Sequence, residues 1–415
     1  MTGARTTLNF LHTGNPTGLK FLVEHSGARC LFDFGLEHAP GRAAFSAGLQ
    51  PRPGRELDDL LAVGAAPRLA GVYEGEEWDG RTHIFISHLH LDHTALVRYL
   101  GPRVPLHFPE AMEPVRAAAA DSGYLGWRRP PGTPVPDGAV VRVGEIEVRF
   151  TAVDHDVPGS TGFVVSTPDA TIAFTGDTRW HGLHPELNER FVERARGADL
   201  LIQEGVSLGQ VPTSASPPQM TEAEVISGIA EAVGEAAGLV IVNCYGMNRE
   251  RVAGIAEGCA QAGRRFLMEP QMAAMAGWPG VLGDLGPVIA DPRGHCLQLG
   301  FENLPLLIDL MPPRGSLYIH SGGAPLGVYD PAFPVMEAWV HRFGLAFRAI
   351  NTSGHSRVDD IVRMVRAVAP GVVAPVHSKA PEALAVPGIP SFVPRAGVSY
   401  RVADILSGVT TAPNS

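Results

Sequence analysis

Six consecutive residues, His88-Leu89-His90-Leu91-Asp92-His93, place four metal-ligand side chains beside one another. Imidazole nitrogen and carboxylate oxygen are borderline-to-hard donors that suit Zn2+, with Mn2+ or Fe2+ as alternatives. The preceding run His83-Ile84-Phe85-Ile86-Ser87 reads as a strand that stops where the histidines begin. On the turn that follows, alternate residues project to one side, so His88 and His90 can converge on one ion. Asp92 and His93, at the start of the next helix, can face a second ion close by. A catalytic ion needs about three protein ligands and an open position, so further donors must come from elsewhere. Three candidates close apolar strands: His155 in Val-Asp-His-Asp-Val-Pro-Gly, Asp177 in Ala-Phe-Thr-Gly-Asp, and His377 in Ala-Pro-Val-His-Ser. Strand ends on a rigid scaffold are where reactive side chains commonly gather. The set predicts a metal-dependent hydrolase.

The elements that must position these residues fall into two rhythms. The first third reads as strands and turns: a hairpin over Gly18–Val23 and Cys30–Phe34, then Gly- and Pro-rich loops with one short helix from Gly35 to Gly80. Thr94 to Leu100 reads as the opening of a helix. Strand pairs are expected over Val140–Val153 and around the turn Pro168-Asp169. After Asp199 strands and helices alternate. Thr221 and Glu224 form a capping box ahead of Val225, Ile226, Ile229 and Val233, which share one helical face. Strands follow at Leu239–Cys244, Arg265–Met268 and Ser316–His320. A closing α/β pattern comprises Ala346–Asn351, a helix over Val358–Val368 and a strand at Val372–Val376.

The motif His88-Leu-His90-Leu-Asp92-His93 resembles the His-x-His-x-Asp-His signature of the metallo-β-lactamase superfamily. Asp33 in Leu-Phe-Asp-Phe-Gly resembles that family's first-motif aspartate, and His155 and Asp177 are similar to its third and fourth motifs. Three later runs resemble motifs A, B and C of the β-CASP nucleases, the group that includes ribonuclease J. They are Glu204 in Leu-Ile-Gln-Glu-Gly, His355 in Thr-Ser-Gly-His-Ser, and His377 in Pro-Val-His-Ser. Ser378-Lys379 stand where ribonuclease J carries Gly-Glu.

The resemblance implies an α/β fold: a metallo-β-lactamase αββα sandwich with an inserted α/β β-CASP domain. It divides the chain into a first part of the core (1–205), the inserted domain (206–345) and a closing part of the core with motifs B and C (346–415). It also implies two Zn2+ ions, one on His88, His90 and His155 and one on Asp92, His93 and His377, with Asp177 between them. Two such ions lower the pKa of a shared water from 15.7 towards about 7, which supplies a hydroxide for attack on phosphorus. Asp33 would fix the tautomer of a ligand histidine. His355 would contact the scissile phosphate or protonate the leaving oxygen, and Glu204 would orient His355 or His377. His83, His107, His181, His184, His295, His320 and His341 lack motif context and are expected to be structural or superficial.

Composition bounds the function. A chain of 415 residues suits two domains or one with a large insertion. No apolar run approaches the ~20 residues of a membrane span. The polar stretch Met1–Leu11 lacks a signal peptide's order, so a cytoplasmic location is expected. Cys30, Cys244, Cys259 and Cys296 include no Cys-x-x-Cys pair and read as small buried hydrophobes. The formal net charge is -10 and Lys20 and Lys379 are the only lysines. That balance disfavours a long electrostatic grip on nucleic acid and permits a short substrate held through metals. The leading expectation is a dinuclear zinc phosphodiesterase or ribonuclease acting on RNA. A second is hydrolysis of a small phosphodiester, lactone or amide. A third, a non-catalytic partner subunit, conflicts with the intact donor set. No membrane partner is expected, and a homodimer is compatible with the sequence.

Overall fold

The computed structural model describes residues 5–14, 18–37, 44–45, 49–126, 128–210 and 219–408. Strands β1 (Thr7–His12), β2 (Lys20–His25), β3 (Ala28–Phe32), β4 (Thr82–Phe85), β5 (Leu106–Pro109) and β6 (Thr133–Val135) build the first sheet in sequence order. Strands β7 (Val140–Val143), β8 (Ile146–Ala152), β9 (Thr161–Thr167), β10 (Ala170–Phe174) and β11 (Leu200–Glu204) build the second. Strands β12 (Val240–Cys244), β13 (Arg265–Met268), β14 (His295–Gln298), β15 (Leu317–Ser321) and β16 (Ala346–Ala349) then form a separate, all-parallel sheet in the order β13-β14-β12-β15-β16. The chain afterwards returns. Strand β17 (Val372–Val376) lies parallel to β11 on the second sheet, and β18 (Val398–Arg401) lies antiparallel to β1 on the first. Each sheet of the sandwich is thus completed by a strand that follows the third sheet in sequence.

Period-two patterning explains the sandwich. Phe10, Phe21, Phe32 and Phe85 from the first sheet meet Phe150, Phe163 and Phe174 from the second in one buried cluster. Phe21 and Phe174 pack edge to face at 5.1 Å, and Phe32 and Phe163 at 5.2 Å, the arrangement that aromatic quadrupoles favour. The outer faces are covered in turn: Leu22, Leu31 and Ile84 by Leu96, Met112 and Val115, and Ala173, Leu201 and Val373 by helices Pro185–Ala195 and Val358–Val368. The result is an αββα sandwich. The third sheet carries its own core on both faces, with helices Glu222–Glu235 and Arg249–Gln261 on one side and Phe333–Arg342 on the other. A parallel sheet must be covered twice in this way.

Two expectations are revised. The helix expected to open over Thr94 to Leu100 begins earlier, as the single turn Leu91–Thr94, and gives way to a 3-10 turn over Val97–Tyr99. Thr94 Oγ1 donates back to the carbonyl of His90, four residues earlier, at 2.7 Å. The strand at 346–349, read from sequence as the start of the closing segment, pairs with β15 and forms the edge of the third sheet. Its residues alternate only weakly, so nothing local marks which sheet it joins. The Thr221–Glu224 capping box is present, and all four cysteines are buried and free. Among the described residues no helix is long and apolar enough to cross a membrane.

Candidate metal centre

The candidate ligand and motif residues gather beside the ends of the sandwich strands. His88, His90, Asp92 and His93 follow β4, His155 follows β8, Asp177 follows β10, Glu204 ends β11, and His377 follows β17. His355 comes from the loop ahead of helix Val358–Val368. Gly176 turns the chain at a φ of 58° immediately before Asp177, a conformation that glycine adopts without a Cβ clash. Asp33 and His377 reach the same left-handed region, at φ of 56° and 53°, without being glycine. Strain of that kind, of order 1–3 kcal/mol, persists where the surroundings over-determine it.

Potential ligand atoms converge in two groups. His88, His90, His155 and Asp177 offer donors that all lie within 4.8 Å of one another, as do Asp92, His93 and His377. Within the first, His90 Nδ1 stands 3.1 Å from His88 Nε2 and 3.2 Å from His155 Nε2. Asp177 reaches both groups: Oδ2 is 3.5 Å from His88 Nε2 and 3.3 Å from His93 Nε2, and Oδ1 is 3.2 Å from His377 Nδ1. His377 Nε2 is 3.2 Å from Asp92 Oδ2. Ligand atoms around a tetrahedral ion with bonds near 2.0–2.1 Å stand roughly 3.3 Å apart. His355 also belongs near the second group, since Asp177, His355 and His377 make a third candidate trio.

The residues present fit metal ions on chemical grounds as well. Asp177 Oδ2, His93 Nε2 and His355 Nδ1 are buried with no hydrogen-bond partner, a costly state unless something else satisfies them. The outer ring nitrogens, by contrast, are held. His93 Nδ1 donates to Asp33 Oδ2 at 2.7 Å, and Asp33 also accepts from Ser87 N and Ser87 Oγ. Ser87 Oγ accepts from His88 Nδ1 at 2.9 Å, and His155 Nδ1 donates to the Gly354 carbonyl. Each of these bonds leaves Nε2 free to face the cluster, which is how outer partners set the tautomer of a ligand histidine.

Charge is divided between the two groups. Burial resists charging His93, but Asp177, Asp92 and Asp33 outweigh it and hold its pKa well above the ordinary value. His377 goes to about 10 for the same reason, against the same burial. Burial pushes His155 down to about 3 and His88 well below its usual range. Glu204 is wholly buried; desolvation and the neighbouring Asp177 raise its carboxyl to about 8. Its oxygens accept from Ser356 N and Val206 N, both at 3.1 Å, while His355 Nδ1 stands 3.8 Å away. Glu204 thus ties β11 to the loop that carries His355.

Several residues at the site carry no sequence motif. Asp156 Oδ1 stands 3.2 Å from His155 Nε2 and 3.4 Å from His90 Nε2. Together with His90 and His355 it lines the partly exposed mouth. The ring of Tyr245, beyond β12, lies 5.6 Å from that of His90. His181, expected to be structural, donates from Nε2 to the Ser353 carbonyl, 2.8 Å away, and so supports the His355 loop. Among these only Asp156, beside His155, offered a signal in sequence.

Fold and site together define a class: an α/β protein with a metallo-β-lactamase-type αββα sandwich and a His/Asp cluster that could hold metal ions. Residues 53–238 match the family model described as a β-lactamase superfamily domain. It is 24% identical to a ribonuclease J of Sinorhizobium meliloti over 337 residues, 72% of this chain. The match spans 57% of that relative's length. A ribonuclease J of Mycobacterium tuberculosis is 29% identical over 136 residues, 32% of this chain and 24% of the relative. A crystal structure of a protein of unknown function from Enterococcus faecalis superposes with a TM-score of 0.82 at 26% identity, covering 96% of this chain and all of that one (100%).

Proposed function

We propose that the protein is a two-metal phosphodiesterase of the β-CASP type, with RNA as its substrate. The observation that carries the reading is Asp177, whose two oxygens reach into both ligand groups. His88, His90 and His155 would hold one ion, Asp92, His93 and His377 the other, with Asp177 shared. Zn2+ suits these donors, and Mn2+ or Fe2+ remain alternatives. Such a pair supplies a nucleophile at neutral pH and stabilises charge on phosphoryl oxygens. The chain's own residues do the rest. Asp33 and Ser87 keep His93 and His88 in the tautomer that turns Nε2 inward. His355, at the half-buried mouth, contacts the phosphoryl group or returns a proton to the leaving oxygen. Glu204 holds the His355 loop through Ser356 N. The third sheet, from about residue 206 to its edge strand at 349, is the inserted domain, and the segments before and after it form the sandwich.

A second reading, hydrolysis of a small phosphodiester, lactone or amide, has its own observation. The net charge is -10, and of the two lysines Lys20 is fully buried, its Nζ donating to the Gly18 carbonyl. Metal analysis of the purified protein, with turnover of 5′-phosphorylated RNA, single-stranded DNA and a generic phosphodiester, separates the readings. RNA cleavage that depends on metal is expected. Good generic turnover without cleavage of either nucleic acid would replace it with the second reading.

A further inference from the structure

Beneath the metal cluster runs a chain of buried charges that the chemistry above does not use. Arg179, two residues beyond Asp177, is fully buried, as is Glu222, the first residue of helix Glu222–Glu235. Arg179 Nε donates to Asp154 Oδ1 at 3.3 Å, and Asp154 immediately precedes His155. Arg179 Nη1 donates to Glu222 Oε2 at 2.7 Å. Glu222 is gripped from its other side by Arg251, whose Nε and Nη2 both donate at 2.7 Å. Arg251 Nη1 continues to the Ser321 carbonyl at the end of β15, 3.0 Å away. Backbone bonds run alongside: Arg179 N donates to Asp154 O and Glu222 N to His181 O, each at 2.8 Å.

We propose that Glu222 is a positioning residue for the metal centre, reaching it from the third sheet's side of the molecule through Arg179 and Asp154. The proposal rests on the two-metal reading of the site. The argument is one of burial and connectivity. Removing one partner of a buried ion pair costs far more than removing one of an exposed pair, and Arg179 has little to spare: its Nη2 lacks a hydrogen-bond partner and stands 3.8 Å from Glu250 Oε2. Asp154 alone gives Arg179 one long bond, so Glu222 supplies its short one. Arg179 and Asp154 in turn flank Asp177 and His155, one donor shared by both groups and one from the first. Withdrawing Glu222 leaves Arg179 charged and under-paired between those two loops. The loops then relax, and the donors separate. Docking of the third sheet and assembly of the metal site are therefore one event: the sandwich alone lacks the carboxylate that sets its loops.

Co2+ serves as the probe, because its visible spectrum reports ligand geometry and requires no substrate. Glu222→Gln keeps shape and removes charge. It is expected to bind Co2+ roughly tenfold or more weakly than the unmodified protein, as loss of outer partners does, with an altered visible spectrum. Ile229→Val, on the apolar face of the same helix, lowers stability without touching the charges and should leave both readouts unchanged. Arg251→Lys, which keeps the charge and loses the two-pronged grip, should weaken Co2+ binding less than Glu222→Gln; it decides alone if Glu222→Gln does not fold. Unmodified affinity and spectrum in either folded variant overturn the proposal. If the unmodified protein itself binds no Co2+, the two-metal reading falls first, so the two failures are distinguishable.

Discussion

Asp177 is the residue on which the metal centre turns, because its carboxylate oxygens reach ligand atoms of both donor groups. Asp177→Ala or Asp92→Ala should abolish hydrolysis and strip metal, measured by elemental analysis alongside turnover. His355→Ala should lose activity and keep metal. Full metal loss in His355→Ala would move that residue from the substrate to the ligand set, where its trio with Asp177 and His377 also permits it. Asp33→Asn tests the outer tier: with the bond to His93 Nδ1 weakened, metal affinity should fall about 10–100-fold by titration calorimetry. Unchanged affinity would make Asp33 a turn residue only. His155, Asp177 and His377 are legible in sequence because ligand type and strand-end position coincide at each, and His88 to His93 because four ligand types fall in six residues. The residues that hold them are not. Ser87, Arg179 and Glu222 are ordinary polar residues whose meaning lies in partners elsewhere in the fold, such as Glu222 Oε2 for Arg179, 43 positions away.

At the scale of elements, the metal turn depends on how closely two loops approach. A Cβ on Gly35 would lie 1.8 Å from Asp92 O and 2.3 Å from His93 N. Phe34 N donates to His93 O at 2.8 Å and Leu96 N to Phe34 O at 3.0 Å, so the chain after β3 is laced directly to the metal turn. Gly35→Ala should therefore displace Asp92 and His93 although residue 35 is no ligand. The expected result is near-complete loss of metal from the Asp92, His93 and His377 group, read as a fall in stoichiometry with little change in circular dichroism. Retention of full stoichiometry would show that the turn can yield. Strong local signals were read correctly from sequence, among them the capping box at Thr221 and the hairpin before Phe34. The start of the turn Leu91–Thr94, and the sheet that the expected strand at 346–349 joins, are decided by tertiary contacts instead.

For the whole molecule, the donors are spread from His88 to His377 and meet only when both sheets of the sandwich are complete, including the late strand β17. An unfolded chain cannot reproduce that set, so metal binds the folded state selectively. A ligand of that kind at about 100 times its Kd adds roughly 2.7 kcal/mol of stability. The third sheet has its own two-sided core, and unfolding of so long a chain need not be a single transition. Calorimetry with and without chelator should accordingly show the sandwich's transition lowered by several degrees and restored by added Zn2+. The buried chain from Asp154 through Arg179 and Glu222 to Arg251 joins the two cores, so the third sheet's transition should follow in the same direction by a smaller amount. A sandwich transition that chelation leaves in place would mean that the donor cluster holds no metal in the folded protein. A shift confined to the sandwich would mean that the buried charges do not couple the two cores.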